Sequence, residues 1–147
     1  MAENESASDT SCLHACENQQ RAREEQLHAS FARRTGRELA HVAGSVDLYK
    51  APAIVLMHGT QSDPIFCYAN LAAQQLWGYS WREFCAMPSR LSAEPEVQAD
   101  RERLLRQAHE QGCIADYSGI RIARDGRRFH ISNVILWNVD DDHGIRC

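Results

Sequence analysis

Along the chain the spacing of apolar residues changes several times, and each change marks an element. From Glu17 to Arg34 the residues are mainly Gln, Arg, Glu, Ala and Leu with no Pro or Gly, and Gly36 stands where a glycine would stop a helix. The apolar stripe of this predicted helix is thin, chiefly Leu27 and Phe31 one turn apart, so light packing on the body or on a partner is expected. Ser45 can cap a short turn that Pro52 ends. The continuous apolar run from Ala53 to Met57, between Pro52 and Gly59, is too short for a helix and predicts a buried strand over Ala53 to His58. Asp63 and Pro64 mark a turn, and Ile65 to Asn70 resumes strand character, which makes the pair a hairpin.

Asn70 is a suitable N-cap for the next segment, in which Ala72, Ala73, Leu76 and Trp77 share one helical face and Gly78 ends the turn. Ser80 and Glu83 have capping-box spacing for a second short helix carrying Trp81 and Phe84. Pro95 and Gly112 bracket a longer helix with Val97, Leu104 and Ala108 facing inward and a polar face that reads as solvated.

The final third alternates with period two. Two strands, from Ala115 to Ala123 and from Arg127 to Val139, are joined by Asp125 and Gly126, a strong short-hairpin dipeptide. On the second strand Phe129, Ile131, Asn133, Ile135, Trp137 and Val139 share the predicted core face, and Asn133 there needs hydrogen bonds. Val134 and Leu136 fall on the opposite face.

Composition narrows the class. The chain has 147 residues, 44% of them hydrophobic, enough for one domain with a core. No apolar run approaches the roughly 20 residues of a membrane span, and the opening lacks the layout of a signal peptide, so a cytoplasmic protein with reduced cysteines is expected. Four of the 20 acids lie in the first 18 residues, leaving a balanced body with no electrostatic reason to bind nucleic acid or membrane. Arg121, Arg124, Arg127 and Arg128 gather at the last hairpin with Asp116 and Asp125 among them, and read as a solvated face. Cys12, His14 and Cys16 form the only local cluster of soft ligands and lack a second pair at finger spacing, so no metal is assigned.

No catalytic constellation is present: the chain has no GxGxxG, P-loop, GxSxG or HExxH. An enzyme built on His58 with Asp63 or Cys67 lacks an assembled nucleophile, base and orienting group.

YANLAAQQLWGYSWREF (68–84) resembles the helix-opening signature of PAS domains, and RIARDGRRFHISN (121–133) resembles their late Asp-Gly hairpin. TGREL (35–39), APAIVLMHGTQSDPIFCYAN (51–70), PSRLSAEP (88–95) and DYSGIRI (116–122) are similar to the MEKHLA branch, found as stand-alone bacterial proteins and at the end of some plant homeodomain leucine-zipper regulators. The resemblance implies an α+β fold, a PAS-like five-stranded antiparallel sheet with helices on one face. It divides the chain into a disordered acidic tail over 1–18, an added helix over 19–36 and the PAS-like domain over 37–147.

The family role this implies is sensory or regulatory: to hold a small ligand, to dimerise or to signal to a partner protein, without a defined reaction. The ligand and cofactor stay unknown. The photoreactive Asn-Cys-Arg motif of flavin-binding members is absent, and His109, on the helix used by haem-binding members, lies near its end. Met57, Cys67, Trp77, Phe84, Ile122, Asn133 and Trp137 are the candidate pocket residues, with Asn133 as the orienting polar group. A PAS sheet ends with a central strand, of which Gly144 to Cys147 supply only the beginning, so either a truncated product with exposed strand edges or a gap filled by the chain's own tail or a second chain is expected.

Overall fold

In a computed structural model, which describes residues 6–139 and the side chains of 15–95 and 97–139, the predicted helices and strands follow one another in the predicted order, with a short helix after the first and a 3-10 turn before the long one added. They are α1 (Ser6–Thr35), α2 (Leu39–Ala43), β1 (Leu56–His58), β2 (Phe66–Ala69), α3 (Leu71–Trp77), α4 (Trp81–Phe84), a 3-10 turn at Ser89–Ser92, α5 (Pro95–Gln111), β3 (Cys113–Ile122) and β4 (Arg128–Trp137). The fold is the expected α+β type. β1 pairs antiparallel with β2 and β3 with β4, and among the described residues these hairpins are two separate two-stranded sheets. Gly144 to Cys147, where the last strand of a five-stranded sheet was expected to begin, lie outside the described residues.

The helix ends follow local chemistry. Asn70 Oδ1 accepts from Ala73 N, Ser80 and Glu83 close a capping box, and Gly78 and Gly112 take left-handed conformations at the ends of α3 and α5. α1 is helical from Ser6, where the acidic opening predicts a disordered tail, because nothing from Ser6 to Thr35 breaks a helix.

β1 is three residues long, not six. Asn70, fully buried, explains the shortening. Its Oδ1 accepts from Val55 N (3.0 Å) and its Nδ2 donates to the carbonyls of Ala53 (2.7 Å) and Leu48 (3.1 Å). The Val55 amide and the Ala53 carbonyl thus find partners in a side chain and not in a strand ladder.

Two apolar clusters fill the interior. In the first, Leu27 and Phe31 of α1 are fully buried with Leu39, Leu48, Val55, Met57, Tyr68 and Val139. α1 is therefore part of the core and not lightly docked. Phe31 meets the Trp137 ring edge-on at 4.9 Å, and Trp137 Nε1 donates to Ser30 Oγ at 2.9 Å. The second cluster joins Phe66, Ala73, Trp77, Phe84 and Met87, with the Phe129 ring 4.9 Å from Trp77.

The β3–β4 hairpin is bulged twice. Between the pairs Tyr117–Val134 and Gly119–Ile131 the β4 side carries one residue more, and between Ile114–Leu136 and Tyr117–Val134 the β3 side does. Asn133 (φ 55°) and Asp116 (φ 60°) take the left-handed conformations that accompany these extra residues. Strict alternation along β4 therefore fails at Asn133, which is exposed and not on a core face. Asn and Asp are the residues other than Gly that best tolerate this conformation.

Candidate functional site

The seven residues expected to line one pocket are distributed over the molecule. Met57 lies in the first cluster with Cys67 and Trp137 packed against it, whereas Trp77 and Phe84 lie in the second, their rings 6.2 Å apart. Ile122 is half-buried at the end of β3, and Asn133 faces solvent at the bulge, so it cannot orient a buried ligand. Of the seven, only Trp77 borders the open cleft of about 440 Å³ formed by the end of α3 and the Ala123–Arg127 turn. Trp77 Nε1 is buried without a hydrogen-bond partner among the described residues.

A different set of side chains, polar and facing inward, comes together between α5, the 3-10 turn and β3. α5 buries a stripe in which Arg101 stands one turn from Val97 and from Leu104, with Ala108 following. Arg101 is only 8% exposed, and its Nη2 donates to Oγ of the fully buried Ser89 at 2.7 Å. On β3, Tyr117, Gly119 and Arg121 occupy alternate positions on the inner side, while Ser118 and Ile120 face out. Arg121 is also 8% exposed; it donates through Nη2 to Tyr117 Oη (3.2 Å) and through Nη1 to the Ile120 carbonyl (2.8 Å).

Gly119 makes this layout possible. A Cβ built there would come within 2.5 Å of Tyr117 Oη and 3.2 Å of Arg121 Nη1, so the phenol and guanidinium cross the strand where only a glycine leaves room.

The electrostatics are unusual. Burial first, and the Arg121 charge second, bring the Arg101 pKa down to about 10, which leaves a cation at neutral pH. His58, at the end of β1, hydrogen-bonds the Gly59 carbonyl through Nδ1 at 2.9 Å, so Nδ1 carries the proton and Nε2 is the free lone pair of the neutral ring. Burial holds its pKa below the ordinary value against the opposing Gly59 carbonyl, and the Arg101 charge adds to the depression.

Several exposed arginines have acids: Arg90 pairs with Asp63, Arg124 with Glu83 and Arg128 with Glu94. Among the described residues neither buried arginine has one. Desolvating a guanidinium costs several kcal/mol, which a lone hydroxyl acceptor does not offset. Sequence reading placed Arg121 on a solvated face and passed over Arg101. The available signal was positional, since each arginine occupies an inward slot of its element's own period.

Other candidate chemistry is weaker. His109 is exposed. Burial, and then proximity to Cys67 and Cys16, push the Cys85 thiol up to about 11, so it stays protonated at neutral pH. Among the described residues no group of three His, Cys, Asp or Glu side chains could hold a metal ion, and Cys12 and His14 lie outside the described side chains.

The arrangement of a helix and short turns beside a bulged hairpin has counterparts in known proteins. The family model of the MEKHLA domain matches residues 21–147. The chain belongs to the MEKHLA family. The MEKHLA match begins within α1, the helix whose Leu27 and Phe31 fill the first cluster. No curated protein sequence matches the MEKHLA chain significantly. Among solved structures it is similar to the PAS domain of a protein from Colwellia psychrerythraea, at 20% identity and TM-score 0.53, covering 64% of this chain and 76% of that one. It is also similar to the photo-excited blue-light photoreceptor Vivid, at 20% identity and TM-score 0.50, covering 64% of this chain and 71% of Vivid. These likenesses identify the MEKHLA fold as PAS-like.

Proposed function

We propose that this MEKHLA domain is a sensory or regulatory module of the cytoplasm that holds a small molecule beside α5 and β3, and that it is a binding domain and not an enzyme. The observation that carries this reading is the inward-facing set Arg101, Arg121, Tyr117 and Ser89, because a domain with two well-filled apolar clusters has no packing need for buried cations. In this reading Met57, Cys67, Trp77, Phe84 and Trp137 support the site as core, and Ile122 follows Arg121 on β3. Binding would bias the position of α5 relative to the hairpin, the kind of shift that a partner protein can read.

Dimerisation through α1 has less support, since Leu27 and Phe31, the apolar residues that would make that contact, are inside the chain's own core. No helix among the described residues is long and apolar enough to cross a membrane.

Native mass spectrometry of the purified full chain, followed by thermal unfolding against a panel of metabolites, tests the reading. A retained adduct, or a midpoint raised by several degrees with one chemical class, is the expected result. Bare chain mass with no response to any member of the panel overturns it.

A further inference from the structure

We infer that the group this site recognises is an oxyanion, a carboxylate or phosphate of a small molecule, held between Arg101 and Arg121. The inference rests on the ligand-binding reading above and adds the chemistry of the ligand.

Three independent features support it. First, the two arginines come from different elements, α5 and β3, and each residue is only 8% exposed. Among the described residues neither makes an ion pair, and the charge of Glu102 only partly offsets the repulsion of Arg101 by Arg121, so a bound anion would stabilise the arrangement further. Second, the donors are only partly used. A guanidinium carries five N–H groups; among the described residues Arg101 engages one acceptor and Arg121 two, all neutral oxygens. The unused edges are the planar forks that fit carboxylate and phosphate oxygens two at a time.

Third, the neighbours are suited to an anion and not to a cation or an apolar group. Ser89 and Tyr117 bring hydroxyls, each accepting from one arginine and each with its own hydrogen left to donate to an anion. No Asp or Glu of the described residues forms an ion pair with either arginine. Gly119 completes the layout by letting Tyr117 and Arg121 lie flat across the strand.

The test uses the full chain and two probes, inorganic phosphate and succinate, titrated calorimetrically at constant ionic strength with chloride as the reference. One of them is expected to bind saturably at up to about 10 mM and to raise the unfolding midpoint above the chloride control. Which probe binds distinguishes a phosphate from a carboxylate ligand. R101M and R121M, each shown to be folded by circular dichroism, are expected to weaken that binding about tenfold or more, whereas R106M, on the exposed side of α5, leaves it unchanged.

Absence of binding by both anions to the wild-type chain overturns the inference whether or not the variants fold. Undiminished binding in folded R101M and R121M overturns it as well. If a neutral adduct is then found by native mass spectrometry, the oxyanion is wrong and the ligand-binding reading stands; if nothing is bound, both fall.

Discussion

α1 and α5 both pack on the hairpins, and they reverse what their sequences suggest. α1 is polar over most of its length, yet the few residues it buries, Leu27, Ser30 and Phe31, make a neutral contact in which Ser30 Oγ donates to the Leu27 carbonyl and accepts from Trp137. α5 has the better apolar stripe, yet at its centre it buries Arg101 with a single hydroxyl for company. Polarity along a helix therefore says little about what its inner face does; position on the face decides burial, and partners decide whether the buried group is structural. The α1 contact is complete within the chain, and the α5 contact is not.

The largest expected effect tests the first half of that contrast. Phe31→Ala removes a fully buried ring from the cluster and from its edge-on contact with Trp137, and should cost about 3–5 kcal/mol in denaturant unfolding. A loss below about 1 kcal/mol would show that α1 is not part of the core. Asn70→Ala comes next, at about 3 kcal/mol, because it strands the Val55 and Ala73 amides and the Ala53 and Leu48 carbonyls together. An urea midpoint close to that of the parent would mean these groups find other partners.

Arg101→Met sharpens the second half. Without added ligand it is expected to leave stability unchanged or to raise it by about 1 kcal/mol, since the variant buries a thioether in place of an uncompensated cation. A loss of about 3 kcal/mol would instead mark Arg101 as a structural tie to Ser89.

The smallest effect is in the pH dependence. Because burial holds the His58 pKa below the ordinary 6.5, the unfolded chain takes up this proton first as pH falls. Stability from the neutral ring is complete above about pH 6.5, declines below it and levels off once pH passes the folded-state value. Unfolding midpoints of the parent and His58→Gln between about pH 5 and 7.5 should diverge in slope; parallel curves would show that His58 is solvated.

What was legible in the sequence is what short-range chemistry determines. Asn70, the Ser80 and Glu83 pair, Gly36, Gly78 and Gly112 act within one turn of themselves, and Asp125 and Gly126 need only each other to reverse the chain. The misses were long-range. β1 is shorter than its apolar run because Asn70, 15 residues away from Val55, takes over the backbone groups of its first half. The core face of β4 could not be extended past Asn133, since a bulge depends on how two strands register and not on either alone. The seven expected pocket residues are divided between clusters for a related reason: hydrophobic character identifies core residues without saying that they share one cavity. Arg101 and Arg121 carry a charge that composition assigns to the surface, and only their slots in the helical and strand periods indicate otherwise.

The bond from Trp137 Nε1 to Ser30 Oγ joins residues 107 apart in sequence. During synthesis α1 emerges before β4, and Ser30 must wait for the 107 residues that separate it from Trp137 before that part of the surface receiving Phe31 exists. Closing so long a loop slows folding relative to a domain of local contacts, and it leaves the Phe31 side chain open to other nascent chains in the interval. The same bond offers a signal for that late step, because the indole of Trp137 exchanges water for Phe31 and Ser30 when the helix arrives, and its fluorescence should report docking separately from the earlier formation of the β1–β2 hairpin.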